Sequence, residues 1–103
     1  MGTQKINDFE SETSFSEDLD EPSLYNVIML NDHFTTMDFV VEMLVKIFDK
    51  SVSESTAIMM NIHNKGKGFC GTYTFDIASS KAEKVHMEAR KKGFPLKCTV
   101  EKA

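Results

Sequence analysis

Hydrophobic and polar positions alternate with a changing period along the chain, and each change marks an element. Tyr25 to Leu30 is a short run of strand formers halted by Asn31-Asp32, a pair that favours turns, so a strand is predicted there. From Met37 to Phe48 nine of twelve residues are apolar, the exceptions being Asp38, Glu42 and Lys46. Thr35-Thr36-Met37-Asp38 in front of them approaches a capping box, with Asp in place of Glu or Gln, and predicts a helix from about residue 36 to Phe48.

A second box, Ser51-Val52-Ser53-Glu54, opens another helix that Gly66 and Gly68 end. Phe69 to Phe75 reads as a second strand. Asp76 is a candidate cap for a third helix, whose Ala78, Ala82, Val85 and Ala89 fall on one stripe. Gly93 and Pro95 stop it, and Leu96 to Glu101 gives a last strand. The order β-α-α-β-α-β predicts an α+β domain, a small three-stranded antiparallel sheet packed against three helices.

The first helix carries more apolar surface than one core stripe needs. Val41, Leu44 and Phe48 supply a core-facing stripe, and Met37, Val40 and Met43 form another. On the next helix Met59, Ile62 and His63 share a face. Either both helices are simply well buried, or they line a cavity of flexible methionines that accepts more than one side chain. Asn31-Asp32 is by itself a turn signal, and a histidine near a helix end is by itself a residue suited to the helix dipole. Together, a carboxylate, an amide and an imidazole beside an apolar hollow are the parts needed to hold a cation attached to a hydrophobic group.

Charge sharpens the picture. The chain has 103 residues, enough for one domain with a modest core, and a formal net charge of -4. Residues 1 to 22 hold seven acids and one base, leaving nine acids and eleven bases in the rest. That segment has too little to bury to offset its ordering entropy, so residues 1–23 are predicted to be a disordered acidic arm and residues 24–103 a folded domain. No clustered basic surface suggests nucleic-acid binding. Cys70 and Cys98 lack metal-ligand or disulfide-framework spacing, which points to a reducing cytosol with no metal and no cofactor. No apolar run reaches membrane-spanning length, and no signal peptide is expected.

The stretches LNDHFTTMDFVVEML, MMNIHNKGKGFCGTYT and PLKCTVEKA resemble the ClpS family, bacterial adaptors of the Clp protease, over about residues 24 to 103. The resemblance implies a cytoplasmic monomer that is not an enzyme. Such an adaptor recognises N-degron proteins whose first residue is Leu, Phe, Tyr or Trp and passes them to the AAA+ unfoldase ClpA for degradation by ClpP. It further implies that Asn31, Asp32, His33 and His63 meet the α-amino group and first peptide unit. Thr35, Met37, Val40, Met43, Met59, Ile62 and Leu96 would wall the side-chain pocket, with Met37 as gatekeeper against β-branched first residues. Asp76 and Lys81 map onto the surface that meets the unfoldase, and the arm onto the part that engages it during delivery. The chain departs from the family pattern at His33, where a second acid is usual, and at Thr36, where Pro is common.

Two other classes compete with this reading. His63, Asp32 and Cys70 suggest a nucleophile with its base and orienter, although a cysteine inside a strand is poorly placed for that chemistry. A scaffold domain without selectivity for a peptide's first residue is the other alternative.

Overall fold

A computed structural model describes residues 22–103; the predicted acidic arm lies outside the described residues apart from Pro22 and Ser23. The elements run β1 (Leu24–Leu30), α1 (Met37–Lys46), α2 (Val52–Lys65), β2 (Lys67–Thr74), α3 (Phe75–Lys92) and β3 (Lys97–Lys102), the order expected from the periodicity. The strands form one antiparallel sheet in the order β2-β1-β3.

β1 is the central strand, and its alternation separates two environments. Val27 and Met29 are fully buried, while Asn26, Ile28 and Leu30 are half-buried on the opposite face. On that outer face the Thr72 hydroxyl donates to Asn26 Oδ1 across the strand pair, at 2.7 Å. Val27 pairs with Gly71 and Ile28 with Phe69, so Cys70 is an extra residue in β2 and bends the strand locally as a bulge.

The three helices cover the other face. Phe39, Val40, Met43 and Leu44 of α1 are buried with Phe48 beyond its end. The predicted core stripe is therefore rotated: Val41 is only half-buried, and Met43, read as part of the spare stripe, is 2% exposed. Phe39 drives this rotation by packing edge-on against Phe94, with ring centroids 5.1 Å apart. α3 buries the predicted Ala78, Ala82, Val85 and Ala89.

Helix ends differ in detail from expectation. α2 has the full capping box: Ser51 Oγ accepts the Glu54 N–H at 3.0 Å, and Glu54 Oε1 accepts the Ser51 N–H at 3.2 Å. Gly66 ends it in a left-handed conformation, φ 91°, which a glycine adopts without a Cβ clash. The cap of α3 is Thr74, with extended backbone and no side-chain bond, so Asp76 is not the cap but lies in the first turn, where the helix dipole favours its charge. The C-terminal end of α1 is anchored by Lys81, whose ammonium donates to the Ile47 carbonyl at 2.7 Å and lies 5.2 Å from the Tyr73 ring centroid.

Candidate functional site

The polar cluster after β1 begins as a turn. The Asn31 N–H donates to the Gly66 carbonyl at 2.9 Å, tying the end of the strand to the end of α2. Asp32 then folds its carboxylate over the residues that follow. Oδ1 accepts the N–H groups of Phe34 at 2.8 Å and Thr35 at 2.7 Å, and Oδ2 accepts the Thr35 hydroxyl at 2.7 Å. The short side chain thus stands in for a backbone carbonyl and fixes the loop.

Thr35 is therefore engaged with Asp32, and Thr36 is the cap of α1. Its hydroxyl oxygen accepts the Phe39 N–H at 3.2 Å. Because Asp32 engages both the N–H and the hydroxyl of Thr35, the cap falls one residue later than the Thr35 at which the box pattern begins.

The turn is at the same time the wall of a cavity of about 470 Å³. The loop contributes Asn31, Asp32, His33, Thr35 and Thr36; α1 contributes Met37 and Val40; α2 contributes Met59, Ile62 and His63. An amide, a carboxylate and two imidazoles thus share one hollow with two methionines, a valine and an isoleucine. Thr36 is the lining residue that sequence reasoning did not single out, although its position beside Thr35 and before the apolar helix was the available signal.

Two of the proposed wall residues lie elsewhere. Met43, 2% exposed, and Leu96, 4% exposed, belong to the core and do not line this cavity. Met43 instead reaches a groove of about 410 Å³ between α1 and α3, and Leu96 one of about 350 Å³ bordered by His86 and Arg90. Asp76 and Lys81, on α3, are also outside the cavity.

The electrostatics of Asp32 follow from its contacts. Partial burial pushes its carboxyl pKa up. The Thr35 N–H, the Thr35 hydroxyl, the Phe34 N–H and the nearby His33 together outweigh that and hold it below the ordinary value of 3.8. At neutral pH the cavity therefore holds a fixed carboxylate with acceptor capacity left over, since the three bonds do not saturate its oxygens.

Both cysteines are free and buried, and burial raises both thiols. Cys70 is buried in β2, and burial above all pushes its thiol up to about 12, against smaller opposing effects of Lys50 and the Met29 backbone. That is the opposite of an activated nucleophile. Among the described residues no group of three or more His, Cys, Asp or Glu is placed to hold a metal ion. Nor is any described helix long and apolar enough to cross a membrane.

Fold and cavity together define a small α+β domain with an amphipathic hollow between the β1–α1 loop and two helices. Comparison with known proteins makes this specific. A family model described as ATP-dependent Clp protease adaptor protein ClpS matches residues 20–99. A protein of Syntrophus aciditrophicus named ATP-dependent Clp protease adapter protein ClpS is 46% identical over 101 residues, covering 96% of this chain and 94% of that one. Its namesake from Desulforapulum autotrophicum is 51% identical over 81 residues, covering 79% and 78%. Among solved structures, Agrobacterium tumefaciens ClpS2 bound to L-phenylalaninamide superposes with a TM-score of 0.78 at 34% identity, covering 81% of this chain and all of that one. The chain belongs to the ClpS family of Clp protease adaptor proteins.

Proposed function

We propose that the cavity binds the free N-terminus of proteins beginning with Leu, Phe, Tyr or Trp, and that the protein delivers them to a ClpA-type AAA+ unfoldase for degradation by ClpP. The observation that carries this reading is the lining itself, with hydrogen-bonding groups and a carboxylate on the loop and apolar side chains on the helices around one hollow. The ligand of the Agrobacterium relative supports it. L-phenylalaninamide combines an α-ammonium, a benzyl group and a carboxamide that stands in for a first peptide bond.

In this reading Asp32 faces the ammonium, and Asn31, His33 and His63 complete the polar end. Thr35, Met37, Val40, Met59 and Ile62 enclose the side chain. Burying a Phe or Leu side chain contributes ~1.5 to 3 kcal/mol, and each hydrogen bond to a charged amine a further ~1.5 to 3. Two or three such bonds with the side chain offset the cost of association and leave roughly micromolar affinity. An internal peptide bond has no ammonium, so it would leave the polar end unpaired and be rejected.

Delivery requires a second surface. We assign it to Asp76, exposed in the first turn of α3, and to Lys81. Lys81 acts there mainly by holding the end of α1, because its amine is already bonded to the Ile47 carbonyl. Residues 1–23 form the arm that engages the unfoldase and residues 24–103 the adaptor domain. The protein works in the cytoplasm as a monomeric binding protein rather than an enzyme.

Fluorescence polarisation with peptides starting in Phe, Val and acetyl-Phe tests the recognition step. Micromolar binding of the first alone is expected, and equal binding of all three would favour a non-selective scaffold. Degradation of a Phe-first reporter by ClpA and ClpP with and without the protein tests delivery.

A further inference from the structure

The turn that builds the polar end of the cavity also carries Phe34, at 76% the most exposed large hydrophobic side chain among the described residues. Its chain neighbours His33 and Thr35 line the cavity, and Phe34 does not. The ring is not needed to shape the loop. Its backbone is held by the Asp32 carboxylate, which accepts the Phe34 and Thr35 N–H groups, and the loop's far end is held by the Thr36 cap on α1. Three residues further on, Met37 lines the cavity and yet remains 44% exposed. The segment that lines the hollow thus carries two exposed apolar side chains, Phe34 and Met37, three residues apart.

A peptide whose first residue fills the cavity leaves it in extended form. Its second Cα lies ~3.8 Å from the first, and its second side chain points to the opposite side. That side chain cannot share the hollow, and it emerges at the rim.

Accepting the cavity as an N-terminus site, we propose that Phe34 and the outer half of Met37 form an apolar lip that takes the second side chain of the bound peptide. The protein then prefers a hydrophobic second residue to glycine or aspartate. The lip covers only part of a side chain, so the preference is modest, about three- to tenfold in Kd.

The test uses full-length protein and fluorescent peptides identical except at the second position: Phe-Leu, Phe-Gly, Phe-Asp, and acetyl-Phe-Leu. The parent is expected to bind Phe-Leu about three- to tenfold tighter than Phe-Gly. Phe34→Ala is expected to bring the two within about twofold while still rejecting acetyl-Phe-Leu, and Phe34→Leu to restore much of the difference. An unchanged thermal transition in both variants shows that the loop has kept its shape. A parent that treats Phe-Leu and Phe-Gly alike, or a Phe34→Ala variant that keeps the parent's ratio, overturns the lip and leaves the cavity reading standing. If free and acetylated peptides bind equally to the parent, the cavity reading fails and the lip fails with it.

Discussion

Exchanging Asp32 for Asn separates the job its carboxylate performs in the loop from the one that the proposed function gives it toward a ligand. In the loop, Oδ1 accepts two N–H groups at 2.8 and 2.7 Å, and Oδ2 accepts a hydroxyl at 2.7 Å. Asparagine keeps the first oxygen. It turns the second position into a donor, which the Thr35 hydroxyl accommodates by rotating to accept. Only the charge assistance is lost, about 0.5 to 1 kcal/mol of stability. Alanine removes all three bonds, and because water reaches this loop and replaces part of them, its cost is about 1.5 to 3 kcal/mol. Toward a ligand ammonium the ranking changes. The missing charge costs about 1.5 to 3 kcal/mol of binding, roughly 10- to 150-fold in Kd, in the Asn variant as well.

Urea unfolding of the two variants measures the first effect, and polarisation with a Phe-first peptide measures the second. The expected pattern is an Asn variant close to the parent in stability and far from it in affinity. An Asn variant that binds within twofold of the parent would show that the carboxylate serves the turn alone. The acid limb gives an independent check. The carboxyl is held below its ordinary value of 3.8 in the folded state, so its stabilising contribution is present above that value and lost as pH falls through the folded value. Asp32→Asn is therefore expected to unfold in acid with a shallower loss of stability below about pH 4.

Met37→Ala opens the partly exposed side of the cavity and is expected to raise affinity for Ile- and Val-first peptides by about tenfold while leaving Phe-first binding within about threefold, as read by polarisation; unchanged discrimination would remove Met37 from the gatekeeper role. His33→Asp adds a second carboxylate to the lining and is expected to tighten Phe-first binding severalfold at low salt, with the gain shrinking as salt screens it in a titration series. Gly68→Ala would put a Cβ 2.6 Å from Ile62 Cγ1, forcing β2 away from α2. A loss of about 1 to 3 kcal/mol is expected in urea unfolding, with Phe-first binding weakened because Ile62 also lines the cavity. Ser55→Ala removes a fully buried hydroxyl with no hydrogen-bond partner; the melting temperature is expected to stay level or rise by a few degrees, and a clear fall would show that the hydroxyl is satisfied after all.

How far these features were legible beforehand depends on whether a local rule sufficed. The α3 stripe of Ala78, Ala82, Val85 and Ala89 was readable because only one face of that helix is apolar, so the pattern names the buried face by itself. On α1 nearly every position is apolar, and pattern alone cannot choose between rotations. The choice fell to the Phe39–Phe94 contact, between residues far apart in sequence, which draws Met43 inward and leaves Val41 half-buried. Asp76 satisfied the sequence preference for a capping acid, but the cap falls two residues earlier, at Thr74, where the chain passes directly out of β2. The cavity was legible only as a conjunction. Asn31, Asp32 and His63 each have an ordinary explanation, and it is their presence in one hollow that singles them out. Met43 and Leu96 could be sorted from Val40 and Met59 only in three dimensions.

The turn and the site are one object, and this bears on affinity. The hydrogen bonds that give residues 32–35 their shape also aim the Asp32 carboxylate, so its orientation is set before any ligand arrives. The Asn31–Gly66 hydrogen bond links this loop to the end of α2, three residues beyond His63. At the other end of α1, Lys81 holds the Ile47 carbonyl and limits how far the helix bearing Met37 and Val40 can shift. The α2 side of the hollow is therefore tied to the end of β1 and the α1 side to α3, and little ordering entropy is left for binding to overcome. A rigid polar end with a methionine at the rim reconciles the two demands on such a pocket. Under the proposed function the ammonium would be read strictly, because a fixed carboxylate cannot reorganise around a neutral amide, while the side chain would be read loosely, because Met37 and Met59 can reshape around leucine, phenylalanine, tyrosine or tryptophan.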